Sequence, residues 1–277
     1  MKYILFLASL LSFQTIQAQN LNSKNMIDLH YEIKGTGNPI VLIHGGGTDS
    51  RVWSAIVDQL ASSFKVITYD LRGHGQSPSP SKPTQHIEDL NILLADLKLN
   101  NVSLIGHSLG GQIATDFTIL NPKKVDKLVL ISPGLTGFKY DDSYQEMAKR
   151  MWAVVPNSEA MLKIMLYSPE AYAMQETIKS PFAEEIELIH QENIEKSLKW
   201  SNFEQIWPLE NTEKRLSEIK IPIALIIGTE DKKDIFKIVE KFSKLTNTKL
   251  YQIQNADHGL IVTHAQEIYT LLINSLK

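Results

Sequence analysis

A chain of 277 residues with 43% hydrophobic content is long enough to bury a full core, as one large domain or a domain carrying an insertion. Its 28 basic and 31 acidic residues leave a net charge of −3 and are dispersed, so neither a nucleic-acid footprint nor an acidic solvating tail is expected. With no cysteine, disulfide staples, thiolate metal sites and a cysteine nucleophile are excluded.

Residues 1–18 read as a separate unit. Lys2 gives a positive start, residues 3–13 are almost unbroken apolar sequence, and Thr15-Ile16-Gln17-Ala18 offers a cleavage region. This is the layout of a secretory signal peptide. Its apolar core is shorter than the ~18–20 residues that span a bilayer, so no stable membrane anchor is expected once it is removed. The mature chain is expected to begin near Gln19 and to be periplasmic or secreted.

Strand-like runs then alternate with helical patterns, the arrangement that builds a mostly parallel sheet covered by helices. Residues 26–33 alternate as a half-exposed edge strand before a turn at 35–38. Further strands are expected over residues 39–43, 65–69, 102–105, 128–131, 223–227 and 249–253. The middle runs are continuously apolar, as in strands buried on both faces. Residues 87–99 and 112–120 have the spacing of crossover helices. Between Pro133 and Ile221 the pattern is helical, over 140–155 and 157–167, with a third helix starting at Ser180-Pro181 and turning Phe182, Ile186, Ile189 and Leu198 to one face. The chain therefore divides into a core over 19–134 and 216–277 and an all-helical cap over 135–215. Such a cap would roof the C-terminal strand edge, where open α/β sheets bind ligands.

The chemistry is concentrated at the strand ends. Gly106-His107-Ser108-Leu109-Gly110 follows the run 101–105 and leads into a helical pattern. That order, strand then G-x-S-x-G then helix, is a nucleophile elbow: the tight turn strains the serine backbone and lifts its hydroxyl above the sheet. A serine hydroxyl needs a base, and the base needs an orienting carboxylate. After the strand at 223–227 comes Gly228-Thr229-Glu230-Asp231, and after 249–253 comes Asn255-Ala256-Asp257-His258-Gly259. The expected roles are Ser108 as nucleophile, His258 as base and Asp231 as its carboxylate, with Glu230 and Asp234 as rivals for the acid. Asp257 adjoins His258, but neighbouring side chains in a loop usually diverge. Ile43-His44-Gly45-Gly46-Gly47 directly follows a strand, and its glycines let backbone N–H groups face a developing oxyanion. The oxyanion hole is assigned to the N–H groups of Gly46 and Leu109, with Gly47 as the near alternative; one such donor is worth ~3 kcal/mol in the transition state. No metal-site spacing such as H-E-x-x-H occurs.

On these motifs the chain resembles the α/β-hydrolase superfamily, specifically its smaller capped, esterase-like members. Tyr69-Asp70-Leu71-Arg72-Gly73-His74-Gly75-Gln76-Ser77 is similar to that family's D-x-R-G-x-G-x-S turn, and residues 216–222 to its approach to the acid-bearing strand. The resemblance implies an eight-stranded, mostly parallel sheet, a helical cap and no cofactor. Ser108 at the elbow excludes the aspartate-dependent dehalogenase and epoxide-hydrolase branches.

A small-molecule substrate is expected. Met151, Trp152, Met165 and Trp207 of the cap, with His44 of the glycine loop, are the candidate pocket residues; His44 is also read as a brace for that loop. Met147, Met161, Tyr167, Trp200 and Phe203 join the cap's share. This lining favours a small or medium apolar ester or lactone, cleaved through an acyl-enzyme by a serine hydrolase. The alternatives are carbon–carbon hydrolysis of ring-fission diketones, perhydrolase or cofactor-free haloperoxidase activity, and a ligand-binding receptor with little turnover. The oligomeric state is not encoded in any of these features.

Overall fold

The structure is a computed structural model, and it describes residues 27–168 and 174–277. The expected signal segment lies outside the described residues.

In chain order the core elements are β1 (Tyr31–Lys34), β2 (Pro39–Ile43), α1 (Ser54–Ala61), β3 (Lys65–Tyr69), α2 (His86–Asp96), β4 (Val102–His107), α3 (Leu109–Leu120) and β5 (Val125–Ile131). The cap helices α4 (Asp142–Ala153), α5 (Ser158–Tyr167) and α6 (Ala183–Ser197) follow. The chain then returns through β6 (Ile223–Gly228), α7 (Lys233–Thr246), β7 (Leu250–Ile253), α8 (Leu260–Thr263) and α9 (Ala265–Leu276).

The described strands form one sheet in the order β1-β3-β2-β4-β5-β6-β7, parallel except for β1, which pairs antiparallel with β3. Seven strands replace the eight implied by resemblance. All seven apolar runs of the sequence pair, and the sheet's edge is already supplied by β1, whose residues are mostly exposed. That strand is shorter than the alternating run: residues 27–30 carry no strand, because only 31–34 find partners, on Val66 to Tyr69.

Period-2 alternation explains the two-sided core. On β2, Val41 and Ile43 pack into one cluster with Ile67, Leu104 and Phe117, while Ile40 and Leu42 pack into the other with Trp53, Ile105 and Leu272. Helices on both faces cover these clusters, so β2 and β4 bury every residue but Pro39 and Ser103, which are half-buried.

The cap consists of helices α4 to α6 between β5 and β6, with α5 packed against both α4 and α6. Asn157 caps α5 by accepting the Ala160 N–H, and Asp141 caps α4 by accepting the Tyr144 N–H. At Ser180-Pro181 the helix begins later than the sequence pattern suggests. Ser180 accepts the Phe182 N–H, and α6 runs from Ala183.

A buried carboxylate ties both ends of the cap to the core. Asp116 on α3 accepts the Thr136 hydroxyl at 2.6 Å and the Thr212 hydroxyl at 2.6 Å, one on each oxygen. Thr136 lies on the chain leaving β5, Thr212 on the chain returning towards β6, and the Thr212 N–H donates to the Thr136 carbonyl. Burial raises the Asp116 pKa, an effect the two hydroxyls only partly offset. Three residues so far apart in sequence leave no local pattern, and sequence analysis did not find them.

Candidate active site

The elbow forms as its sequence requires. Ser108 adopts φ 52°, ψ −117°, and α3 begins at the next residue, three earlier than the helical pattern suggests. The turn is so tight that a Cβ on Gly106 would lie 2.3 Å from the Gly110 carbonyl oxygen, and one on Gly110 would lie 2.1 Å from the Ile43 carbonyl oxygen. A side chain at Gly106 would push β4 and the first turn of α3 apart, and one at Gly110 would push α3 off the end of β2.

The acid and histidine loops are knitted together by backbone bonds. Thr229 N–H donates to Ile253 O and Glu230 N–H to Ala256 O, each at 2.9 Å. A third bond positions the histidine loop from below: His107 Nε2–H donates to the His258 carbonyl at 2.9 Å. Burial, and the imidazole of His258 beside it, push His107 down to about 3, so it is a neutral brace.

These constraints bring three side chains into line. His258 Nε2 is 3.0 Å from Ser108 Oγ, and His258 Nδ1 is 3.0 and 3.2 Å from the two oxygens of Asp231. Burial would raise the Asp231 pKa, yet the carboxyl is held below its ordinary range. The His258 charge and hydrogen bond, the neighbouring Ser132 hydroxyl and the Lys232 N–H together outweigh desolvation. Asp231 therefore stays ionised, the state that can steady an imidazolium.

The rival acids are elsewhere. Glu230 is exposed. Asp234 accepts the Asp141 N–H and the Lys237 ammonium, each at 2.7 Å, and so fixes the entrance to the cap. Asp257 diverges from His258 and anchors the cap segment at 176–177, accepting the N–H groups of Glu176 and Thr177.

Ser108, His258, Gly46, Gly47 and Leu109 all line a single cavity of about 750 Å³ between sheet and cap. Met151, Trp152, Met165 and Trp207 line it as expected, as do Met147, Met161, Trp200 and Phe203. Two expectations fail. His44 is fully buried below the glycine loop, where its Nδ1–H donates to Gly45 O and its Nε2 accepts the Leu71 N–H. It braces the loop and does not face the cavity. Tyr167 points outward and donates to Glu187.

No Lys, Arg, Asp or Glu is among the described residues lining the cavity. Its histidines other than His258 are poor cations: burial pushes His74 down to about 3 and lowers His190. The D-x-R-G-x-G-x-S turn contributes beyond its structural role. Gly73 seats the Trp200 ring, which donates Nε1–H to Gly73 O. His44, His74, Trp200, Phe203 and Trp152 form a continuous aromatic seam from glycine loop to cap rim. Among the described residues no group of three His, Asp or Glu side chains is placed to hold a metal ion, and no helix is long and apolar enough to cross a membrane.

The model of the alpha/beta hydrolase fold family matches residues 38–162, a stretch that includes the glycine loop and the elbow. The chain has the α/β-hydrolase fold. An uncharacterised protein of Mycobacterium tuberculosis is 40% identical over 107 residues, covering 38% of this chain and 31% of that protein; the chain thus matches about a third of that relative's length. The 2-hydroxy-6-oxononadienedioate/2-hydroxy-6-oxononatrienedioate hydrolase of Burkholderia vietnamiensis is 28% identical over 90% of this chain and 91% of its own. Among solved structures, a carboxylesterase of Nitrososphaera gargenis superimposes with a TM-score of 0.72 at 23% identity, over 92% of this chain and 96% of that one. That likeness bears on the α/β-hydrolase fold.

Proposed function

We propose that this chain is a serine hydrolase of uncharged carboxylic esters or lactones, acting through an acyl-enzyme. The observation that carries the reading is the unbroken Ser108–His258–Asp231 relay on the floor of a cavity whose described lining residues include no Lys, Arg, Asp or Glu. Ser108 Oγ attacks the carbonyl carbon while His258 Nε2 takes its proton. The N–H groups of Gly46 and Leu109 stabilise the oxyanion, and Asp231 steadies the imidazolium. His258 then protonates the leaving alcohol, and water enters by the same steps to release the acid.

The cavity wall supports esters and lactones over the dioates named for the Burkholderia relative. A carboxylate carried into this cavity would meet no described cationic partner, and burying an unpaired charge costs several kcal/mol or more. The intact relay also supports turnover over a purely ligand-binding role. Export belongs to the same proposal and rests on Lys2 and the apolar run at 3–13. N-terminal sequencing of the protein from fractionated cells tests it, and a mature chain still starting at Met1 would contradict cleavage.

The activity test is a panel of p-nitrophenyl esters, lactones and ring-fission dioates, with fluorophosphonate labelling of wild type and Ser108→Ala. Esters or lactones should turn over best, and labelling should vanish in the variant. A preference for the dioates would overturn the substrate reading, and persistent labelling would remove Ser108 from its role.

A further inference from the structure

Methionine is distributed in this protein with unusual economy. Of seven in the sequence, Met1 and Met26 lie outside the described residues, and the other five all line the cavity over Ser108. With no cysteine in the chain, methionine thioethers are its only sulfur and the groups open to sulfoxide formation.

They are not equivalent. Met147, Met161 and Met174 are buried, whereas Met151 and Met165 are half-buried, so a small oxidant reaches the latter two first. Met165, on α5, also touches the glycine loop. Its Cε and Sδ lie 2.8 and 3.7 Å from the point where a Cβ on Gly47 would stand. Gly47 occupies the left-handed region at φ 72°, so the loop is held in a conformation that other residues rarely adopt.

We infer that Met165 is an oxidative modification site at which peroxides switch off the active cavity, an inference that rests on the ester-hydrolase reading above. The sulfur lone pair attacks one oxygen of hydrogen peroxide and the O–O bond breaks. The sulfur gains that oxygen, a two-electron oxidation, and the peroxide leaves as water. The thioether becomes a polar sulfoxide against Gly47. Either the added oxygen displaces the loop that carries the Gly46 N–H, or its negative end stands beside the oxyanion; both outcomes slow acylation. Methionine sulfoxide reductases reverse the change.

The experiment exposes the full-length protein to hydrogen peroxide. Sulfoxide is mapped at each methionine by peptide mass spectrometry, while p-nitrophenyl butyrate hydrolysis and fluorophosphonate labelling are followed. Met165 sulfoxide should appear ahead of that at the three buried methionines, with hydrolysis and labelling falling at least tenfold in step. Treatment with the two sulfoxide reductases should restore both. Met165→Leu should lose less than half of its own untreated rate under the same exposure, while Met151→Leu should be inactivated as wild type is. A full rate with Met165 oxidised, a Met165 that resists oxidation, or inactivation of Met165→Leu as fast as wild type would each overturn the inference. Should the leucine variant fail to fold, wild-type mapping and reductase rescue still decide the matter. Untreated protein that neither hydrolyses esters nor takes the label would instead defeat the ester-hydrolase reading, with the order of sulfoxide formation still testing the site.

Discussion

Replacing Asp231 by asparagine should cost about 10⁴-fold in kcat, or ~5.4 kcal/mol of transition-state stabilisation. The geometry shows why so small a change matters. Asp231 Oδ1 accepts the Lys232 N–H at 2.7 Å and faces His258 Nδ1 at 3.0 Å, with Oδ2 at 3.2 Å from the same nitrogen. An asparagine keeps its oxygen against Lys232, which places its NH₂ group at the Oδ2 position. That group, at 3.2 Å, competes with the oxygen for Nδ1 and favours the tautomer with hydrogen on Nε2, which has no lone pair for the Ser108 proton, while the charge that steadies the imidazolium is lost. Asp234→Asn is the matched control: its carboxylate meets Asp141 N–H and Lys237, so the change should cost about threefold or less in kcat and ~1 kcal/mol in stability. Steady-state kinetics on p-nitrophenyl butyrate, with circular dichroism to confirm folding, measures both. Equal losses in the two variants, or an Asp231→Asn enzyme retaining a tenth of wild-type kcat, would refute the reasoning.

Asp116→Ala should take the acceptor from two buried hydroxyls and lower stability by about 2–4 kcal/mol in urea unfolding, loosening both ends of the cap; an unchanged midpoint would show that the cap does not depend on this carboxylate. Gly73→Ala would place a Cβ 2.4 Å from the Trp200 ring at φ 86°, so its melting temperature should fall by several degrees, and an unaltered melt would mean that the seat is not rigid. Acid should destabilise the fold well before the carboxylates titrate. His74 and His107 are held down to about 3 and His86 to about 4, chiefly by burial, whereas in the unfolded chain an imidazole binds its proton near ~6.5. Between those values the unfolded state carries more protons, so stability is lost as pH drops below ~6.5, by up to ~1.4 kcal/mol per pH unit for each histidine. Melting temperatures equal at pH 7.5 and pH 5 would contradict this burial.

The three side chains that meet in the site, Ser108, His258 and Asp231, were all legible before folding, because each depends on a short stretch of chain. A serine between glycines after an apolar run, a carboxylate just beyond a strand and a histidine beyond the next are local patterns, and parallel strands deliver their C-terminal ends to one edge. The same logic located the helical cap and the glycine loop. Other features depended on partners distant in the chain. His44 reads from sequence both as a brace for the glycine loop and as a pocket residue, and only the turn of its ring under the loop to meet Leu71 decides for the brace. Asp257 stands beside His258, but its partners are Glu176 and Thr177, eighty residues earlier in the chain. Asp116 meets two threonines at opposite ends of the cap, and the cavity wall, uncharged among its described lining residues, exists only where cap and core side chains converge. Local chemistry is written in consecutive residues because strand, turn and helix are short-range. Which side chains face one another across the cavity follows from close packing between segments far apart in sequence, and no window of neighbouring residues contains it.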